Sequence, residues 1–332
     1  MTIIIFFSTY RKYFYPTYLY MKNQKLLICV LLLLASFNGI AQSDTNNNHA
    51  VTDNLKKETR ELYARKGKFF LFWGYNRSAY SHSNMHFKGD GYDFRINDIR
   101  ATDGPTPISS DYLSWNKFTI PQFNYRVGYF VSDKIFFSFG ADHMKYAMAK
   151  QTTHLTGTIT KSNSPNTTGT YNDQEVLVGE NCDENNPGPS IVDNLPKGYV
   201  SNFEHCDGLN DFSVECGKLE QLWISKNHKH ALAVTGSAGL GFMLPDTDAD
   251  VLGYPPKHDM EANKKAYHLA GYSVSATMGL QLDLFKHVFL LARLKGGYIN
   301  LPDINTTTTG GKASQHFTFI ESMCVLGYTF HI

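Results

Sequence analysis

Six charged residues, Arg126, Asp142, Glu220, Arg293, Lys295 and Glu321, stand in segments whose remaining polar positions are mostly Gly, Ser, Thr, Asn and Gln. Most share the hydrophilic parity of an alternating stretch, so extended strands would gather them on one face; Glu220 joins them if its strand keeps the even register. Three are basic and three acidic. In an enclosed space they would neutralise one another as a salt-bridged plug, with Arg126 and Glu321 as one expected pair. Left unpaired and hydrated, Arg126, Arg293 and Lys295 would instead bias a narrow channel toward anions.

Other reactive residues are more scattered. Cys182, Cys206 and Cys216 fall in or beside one long polar region, and in an oxidising compartment Cys182 and Cys206 are the expected disulfide. Their spacing lacks the close pairs of a zinc site. Asp246, Asp248 and Asp250 alternate as calcium ligands do, but Val251 and His258 occupy the positions where an EF-hand needs Gly and Glu. The sequence therefore calls for no metal, no cofactor and no catalytic residue.

The elements that must position these charges are strands. Tyr272, Val274, Ala276, Met278, Leu280 and Leu282 alternate with Ser273, Ser275, Thr277, Gly279, Gln281 and Asp283. That pattern suits a strand with lipid on one side and a packed polar lumen on the other. The same period recurs over residues 68–76, 118–131, 135–146, 212–225, 231–243, 288–300 and 315–332, with weaker alternation and a suspected bulge in 212–225. Short turns at 132–134, 226–229 and 286–287 alternate with long loops at 77–117, 147–211, 245–265 and 301–314. The expected fold is all-β: an antiparallel up-and-down transmembrane β-barrel of eight strands, or ten if residues 92–101 and a piece of the second loop join the wall. Tyr129, Phe130, Trp223, Phe285 and Phe330 on the turn side and Tyr267 and Tyr298 on the loop side read as two aromatic girdles.

On the lipid-facing parity near the loop side stand His143 and His268, and the first loop carries Ser81-His82-Ser83. An outer-leaflet lipid-modifying enzyme would need a Ser, a His and a carboxylate within hydrogen-bond reach of one another. No Ser shares the parity beside either strand histidine, and the third and sixth strands of an eight-stranded meander are not neighbours.

Residues 21–42 combine Lys22 and Lys25, the apolar run 26–35 and small residues to Gln42, the form of a cleaved export signal. Residues 1–20 read as a start-site artefact, 43–67 as a periplasmic segment and 68–332 as the barrel. The apolar run is too short for a spanning helix, which needs about 20 residues. A formal net charge of +1 without a basic run argues against a nucleic-acid partner.

The closing stretch Cys324-Val-Leu-Gly-Tyr328-Thr-Phe330-His-Ile332 resembles the terminal strand of outer-membrane barrels, with the last Phe two residues early. Together with the export signal and the stretch from Trp73 to Arg77 followed by His86-Phe87-Lys88-Gly89 and Tyr92-Asp93-Phe94, it resembles the small outer-membrane β-barrels of Bacteroidota, of OmpA/OmpX-like architecture. The resemblance implies a monomer in outer-membrane lipid, exposing long loops to an extracellular ligand or partner. A structural, adhesive or partner-binding role is the leading expectation, with a lipid-modifying enzyme and a narrow channel as alternatives.

Overall fold

The computed structural model describes residues 64–104, 122–180, 198–257 and 267–332, all within one compact unit, Lys56–Ile332. Fourteen strands follow in chain order: β1 (Phe69–Tyr80), β2 (Ser83–Gly89), β3 (Tyr92–Ile99), β4 (Ala101–Thr102), β5 (Phe123–Phe130), β6 (Ile135–Met148), β7 (Gln151–Ile159), β8 (Gly169–Val178), β9 (Val200–Ile224), β10 (Ala231–Pro245), β11 (Asp248–Val251), β12 (Gly271–Asp283), β13 (Val288–Asn305) and β14 (Lys312–Phe330).

Eight of them close a ring, β1-β5-β6-β9-β10-β12-β13-β14 and back to β1, every neighbour antiparallel. Short turns at 131–134, 225–230 and 284–287 join β5 to β6, β9 to β10 and β12 to β13 at one end. In the second of these, the positive φ of His228 (57°) lets the chain reverse, closed by the bond from the Ser225 amide to the His230 carbonyl. Parity then separates the two faces of the wall. Leu240, Met278, Ile320 and Leu326 are 63%, 66%, 58% and 55% exposed, while the intervening residues face inward and are mostly buried. An apolar band of this kind around a closed sheet would be costly in water and is what a lipid-embedded barrel presents.

The other strands extend the wall beyond the band. The upper end of β14 pairs with β2 (Lys312↔Lys88, Gln315↔Met85), and the sheet continues through β3 and β7 to β8. β4 adds to β6 and β11 to β9. Residues read as loops at 77–117 and 147–211 therefore hold strands of their own, and β3 covers most of the segment that a ten-stranded wall would have recruited. It pairs with β2 and β7 in this loop-side sheet, outside the ring of eight.

Candidate functional site

The lumen is filled in three layers. At the turn end, Phe70, Phe72, Phe130, Phe136, Leu219, Phe289, Leu291, Met323 and Val325 form an apolar floor. Phe70 and Phe136 meet edge to face at 5.6 Å, and Phe130 lies 5.2 Å from Phe70 and 5.8 Å from Phe136. Inward glycines make room for these rings: a side chain at Gly128, Gly217 or Gly327 would collide with Phe70, Phe136 or Phe289 respectively. Phe130 thus belongs to the floor. It shares the inward parity of Arg126 and Gly128, which corrects its assignment to the turn-side girdle. Below the floor, Arg65 reaches across the mouth to Asp283 (2.9 Å) and Gln221 (3.0 Å), anchored by bonds from the Arg65 and Lys66 amides to Asp133.

The middle layer is ionic. Arg126 meets Glu215 at 3.1 Å and Asp142 at 3.7 Å, and donates to Ser213 Oγ at 2.8 Å. Arg293 meets the other oxygen of Glu215 at 2.6 Å, where Ser237 also donates at 2.8 Å. Lys295 sits between Asp142 and Asp211, 2.6 Å from each, and Ser273 donates to Asp211. Two of the three cations are also seated on rings, Arg293 over Phe72 at 5.2 Å and Lys295 over Phe319 at 5.7 Å. All six of these ionic side chains, and Glu321 with them, are buried. Glu321 lies opposite Lys295 in the β13–β14 register, but its two oxygens make no hydrogen bond among the described residues, and Arg126 turns to Glu215 and Asp142 instead of to Glu321. A cavity of about 30 Å³ remains between floor and ions, bordered by Phe70, Phe72, Arg126, Glu215 and Arg293. That is room for one or two waters.

Five of the six charges read from the sequence, Arg126, Asp142, Arg293, Lys295 and Glu321, lie inward in this layer. Glu220 does not. It lies half-buried on the outer face in ion pairs with Lys134 (2.5 Å) and Lys218 (3.2 Å). The cause is a bulge in β9: Leu232 pairs with Trp223 but Ala233 pairs with Gln221, leaving Leu222 as the extra residue. Trp223 therefore faces outward although it shares odd numbering with inward Leu219, and a parity taken from Trp223 inverts the strand. The same inversion hid Glu215, while Asp211 fell at the end of the segment 147–211 read as a loop; the two carry half of the acidic charge. Their signal was present in the alternation of Asp211, Ser213, Glu215 and Gly217 with Phe212, Val214 and Cys216.

The loop end is roofed by the largest apolar cluster, in which Met144, Tyr146, Leu209, Phe317 and Phe319 of the ring meet Met85, Phe87, Phe94 and Ile96 of the loop-side sheet. Tyr146 stacks on Phe317 at 5.0 Å. His205 is sealed in this roof, its Nδ1 bonded to Thr247 Oγ1 at 2.9 Å. Burial pushes its pKa down to about 3, so the ring is neutral there.

The remaining candidates are dispersed. His143 bonds Asn210 Oδ1 (2.7 Å) and stacks on Phe123, while His268 bonds Asp303 (2.8 Å). His82 bonds Asp98 at 2.7 Å. Its flanking serines turn elsewhere: Ser81 Oγ donates to the His82 carbonyl and accepts from the Thr318 amide, and Ser83 Oγ meets Tyr146 Oη. No three His, Cys, Asp or Glu residues converge as metal ligands among the described residues. Cys182 and the Cys206 side chain lie outside those residues; Cys216 and Cys324 are exposed.

No protein-family model and no curated protein matches the chain. Solved structures with similar backbones include the outer membrane protein OprG from Pseudomonas aeruginosa, at 12% identity and a TM-score of 0.35, covering 81% of this chain and 98% of that one. The outer membrane protein AlkL follows at 8% identity and a TM-score of 0.34, covering 88% and 98%. Ail, the attachment invasion locus protein of Yersinia pestis, stands at 10% identity and 0.25, covering 80% and 99%. At these identities and TM-scores the likeness says nothing about function, and the fold rests on the chain's own strand pairing. By that pairing and its outward apolar band, the chain is an all-β, antiparallel, up-and-down transmembrane barrel.

Proposed function

We propose that this chain is a non-conducting outer-membrane protein of the Bacteroidota type, in which the barrel is a rigid stand and the loop-side sheet carries a structural, adhesive or partner-binding role. One observation carries the reading: aromatic floor, ionic layer and apolar roof succeed one another along the lumen, each built of buried side chains. Eight-stranded barrels have interiors just wide enough for side chains, in keeping with this filling. A protein built for conduction would leave its luminal charges hydrated, whereas here Arg126, Arg293 and Lys295 are each spent on carboxylates. The export signal at 21–42 and the short turns at one end fit an orientation with turns in the periplasm and loops outside. Function then falls to the sheet β2-β3-β7-β8, since variable segments held by a rigid scaffold are the usual carriers of recognition.

Single-cysteine variants of Lys88 on β2 and Lys286 in a short turn test the orientation, made in a background lacking Cys182, Cys206, Cys216 and Cys324. A membrane-impermeant thiol reagent added to whole cells should label the Lys88 site and spare the Lys286 site. The reverse pattern contradicts the assignment.

A further inference from the structure

The outward face of the sheet just above the lipid band is concave and polar. Across β14, β2 and β3 the register aligns Ser314, His86 and Arg95, and across β13 and β14 it aligns Asn300 with His316. These residues border a cavity of about 230 Å³, which adjoins a second of about 200 Å³ bordered by His82, Tyr298 and Thr318; Asn84 and His316 line both. The side chains of Arg95, Asn300 and Ser314 make no hydrogen bond or ion pair among the described residues, and His316 has only a ring contact with Tyr298 at 6.0 Å. By contrast, His86 and His82 are held by Asp93 (2.6 Å) and Asp98 (2.7 Å). The groove thus offers one uncompensated guanidinium, a free imidazole, amides and a hydroxyl, beside an aromatic ring.

Its height is fixed by β14. The outward parity runs from His316 through Thr318 to Ile320, which is 58% exposed in the apolar band. A ligand in the groove would therefore sit at the level of lipid headgroups. Guanidinium and imidazole suit phosphate, the amides of Asn84 and Asn300 suit sugar hydroxyls, and the Tyr298 ring suits the face of a sugar.

We propose that this groove binds the phosphorylated sugar headgroup of an outer-leaflet glycolipid, with Arg95 on the phosphate and His316, Asn300 and Ser314 on the phosphate and adjoining hydroxyls. The inference rests on the loops lying outside the cell, as proposed above. Its test is independent of that orientation, because micelles have no sides.

The full mature chain is refolded in an amine-oxide detergent, which carries neither sugar nor phosphate, and titrated with fluorescent diphosphoryl lipid A. Saturable binding is expected, and the double variant Arg95→Gln/His316→Gln should weaken it about tenfold to a hundredfold, the effect of losing charge-assisted hydrogen bonds. Both residues are exposed, so the variant keeps the fold, checked by its heat-modifiable migration on gels. Lys218→Gln at the turn side should bind as the wild type does. Unchanged affinity in the double variant, or equal competition by dephosphorylated lipid A, overturns the site. Displacement by inorganic phosphate at matched phosphate concentration overturns the glycolipid as its ligand. A thiol-labelling pattern opposite to that expected for Lys88 and Lys286 overturns the orientation alone.

Discussion

Glu215 is the hinge of the ionic layer, and replacing it by Gln is the sharpest perturbation of the account. Its two oxygens serve Arg126 at 3.1 Å and Arg293 at 2.6 Å, with Ser237 as a further donor, and the residue is 2% exposed. The amide keeps the volume but removes the charge that both guanidiniums face. Breaking a buried ion pair by deleting one partner leaves the other charge desolvated and uncompensated, at a cost of about 3–5 kcal/mol. Here two cations lose their carboxylate, although Asp142, 3.7 Å from Arg126, offsets part of the loss on that side. We expect about 3–5 kcal/mol of destabilisation, read as a lowered urea midpoint at constant slope when the barrel is unfolded from lipid vesicles and followed by tryptophan fluorescence. Glu220→Gln is the control, because that side chain stands on the outer face, half-buried, and its partners Lys134 and Lys218 are exposed; a shift well below that of the Glu215 variant is expected. Equal midpoints for the Glu215 and Glu220 variants would refute the assignment of Glu215 to a dry luminal network.

Gly128→Val should force Phe70 from its place over the strand and cost about 1–3 kcal/mol by overpacking, measured in the same unfolding experiment. Arg65→Ala should lower the midpoint by about 1.5–3 kcal/mol through the loss of a charge-assisted bond to Asp283. It should leave the barrel silent in bilayers, since the aromatic floor lies behind it. For His205 the folded pKa is about 3 and the unfolded value about 6.5, so the unfolded chain takes up the proton first as pH falls. Stability is untouched above about pH 6.5 and declines from there toward pH 3, by about 2 kcal/mol at pH 5. Hydrogen exchange of the β2 and β3 amides should accelerate accordingly in the wild type, and the acid sensitivity should be absent in His205→Gln.

Legibility in the sequence followed the regularity of each strand. In β12 every second residue from Tyr272 to Leu282 is apolar or small and outward, so parity alone oriented the wall. Arg126, Asp142, Arg293, Lys295 and Glu321 could be turned inward by the same rule because their strands are unbroken around them. In β9 one inserted residue, Leu222, reverses the parity that Trp223 shows, so an even register would have put Glu220 inside and Glu215 was overlooked, while Asp211 was read as the end of a loop. Pairing partners were beyond reach for a different reason. Arg126 reaches Glu215 across the lumen from β5 to β9, a contact set by strand tilt and stagger, which a linear period does not encode.

Of the loop-side strands, the alternation of Tyr92, Phe94 and Ile96 against Asp93, Arg95 and Asn97 was legible, as a possible wall strand; the others were masked by the Gly, Asp and Asn of their turns. Those inward residues do not face the lumen of the ring; they build the roof. Likewise the inward glycines of β5, β9 and β14 read as mere small residues, whereas each is a slot for a Phe ring from a neighbouring strand.

The most direct test of a sealed lumen is single-channel conductance of the refolded mature protein in a planar bilayer. The account predicts a silent wild type across both polarities and from neutral pH to pH 5, and it predicts discrete openings only when Glu215 and Asp142 are neutralised together and the ionic layer loses its cohesion. Steady, anion-selective current from the wild type would contradict it and make Arg126, Arg293 and Lys295 the lining of a pore.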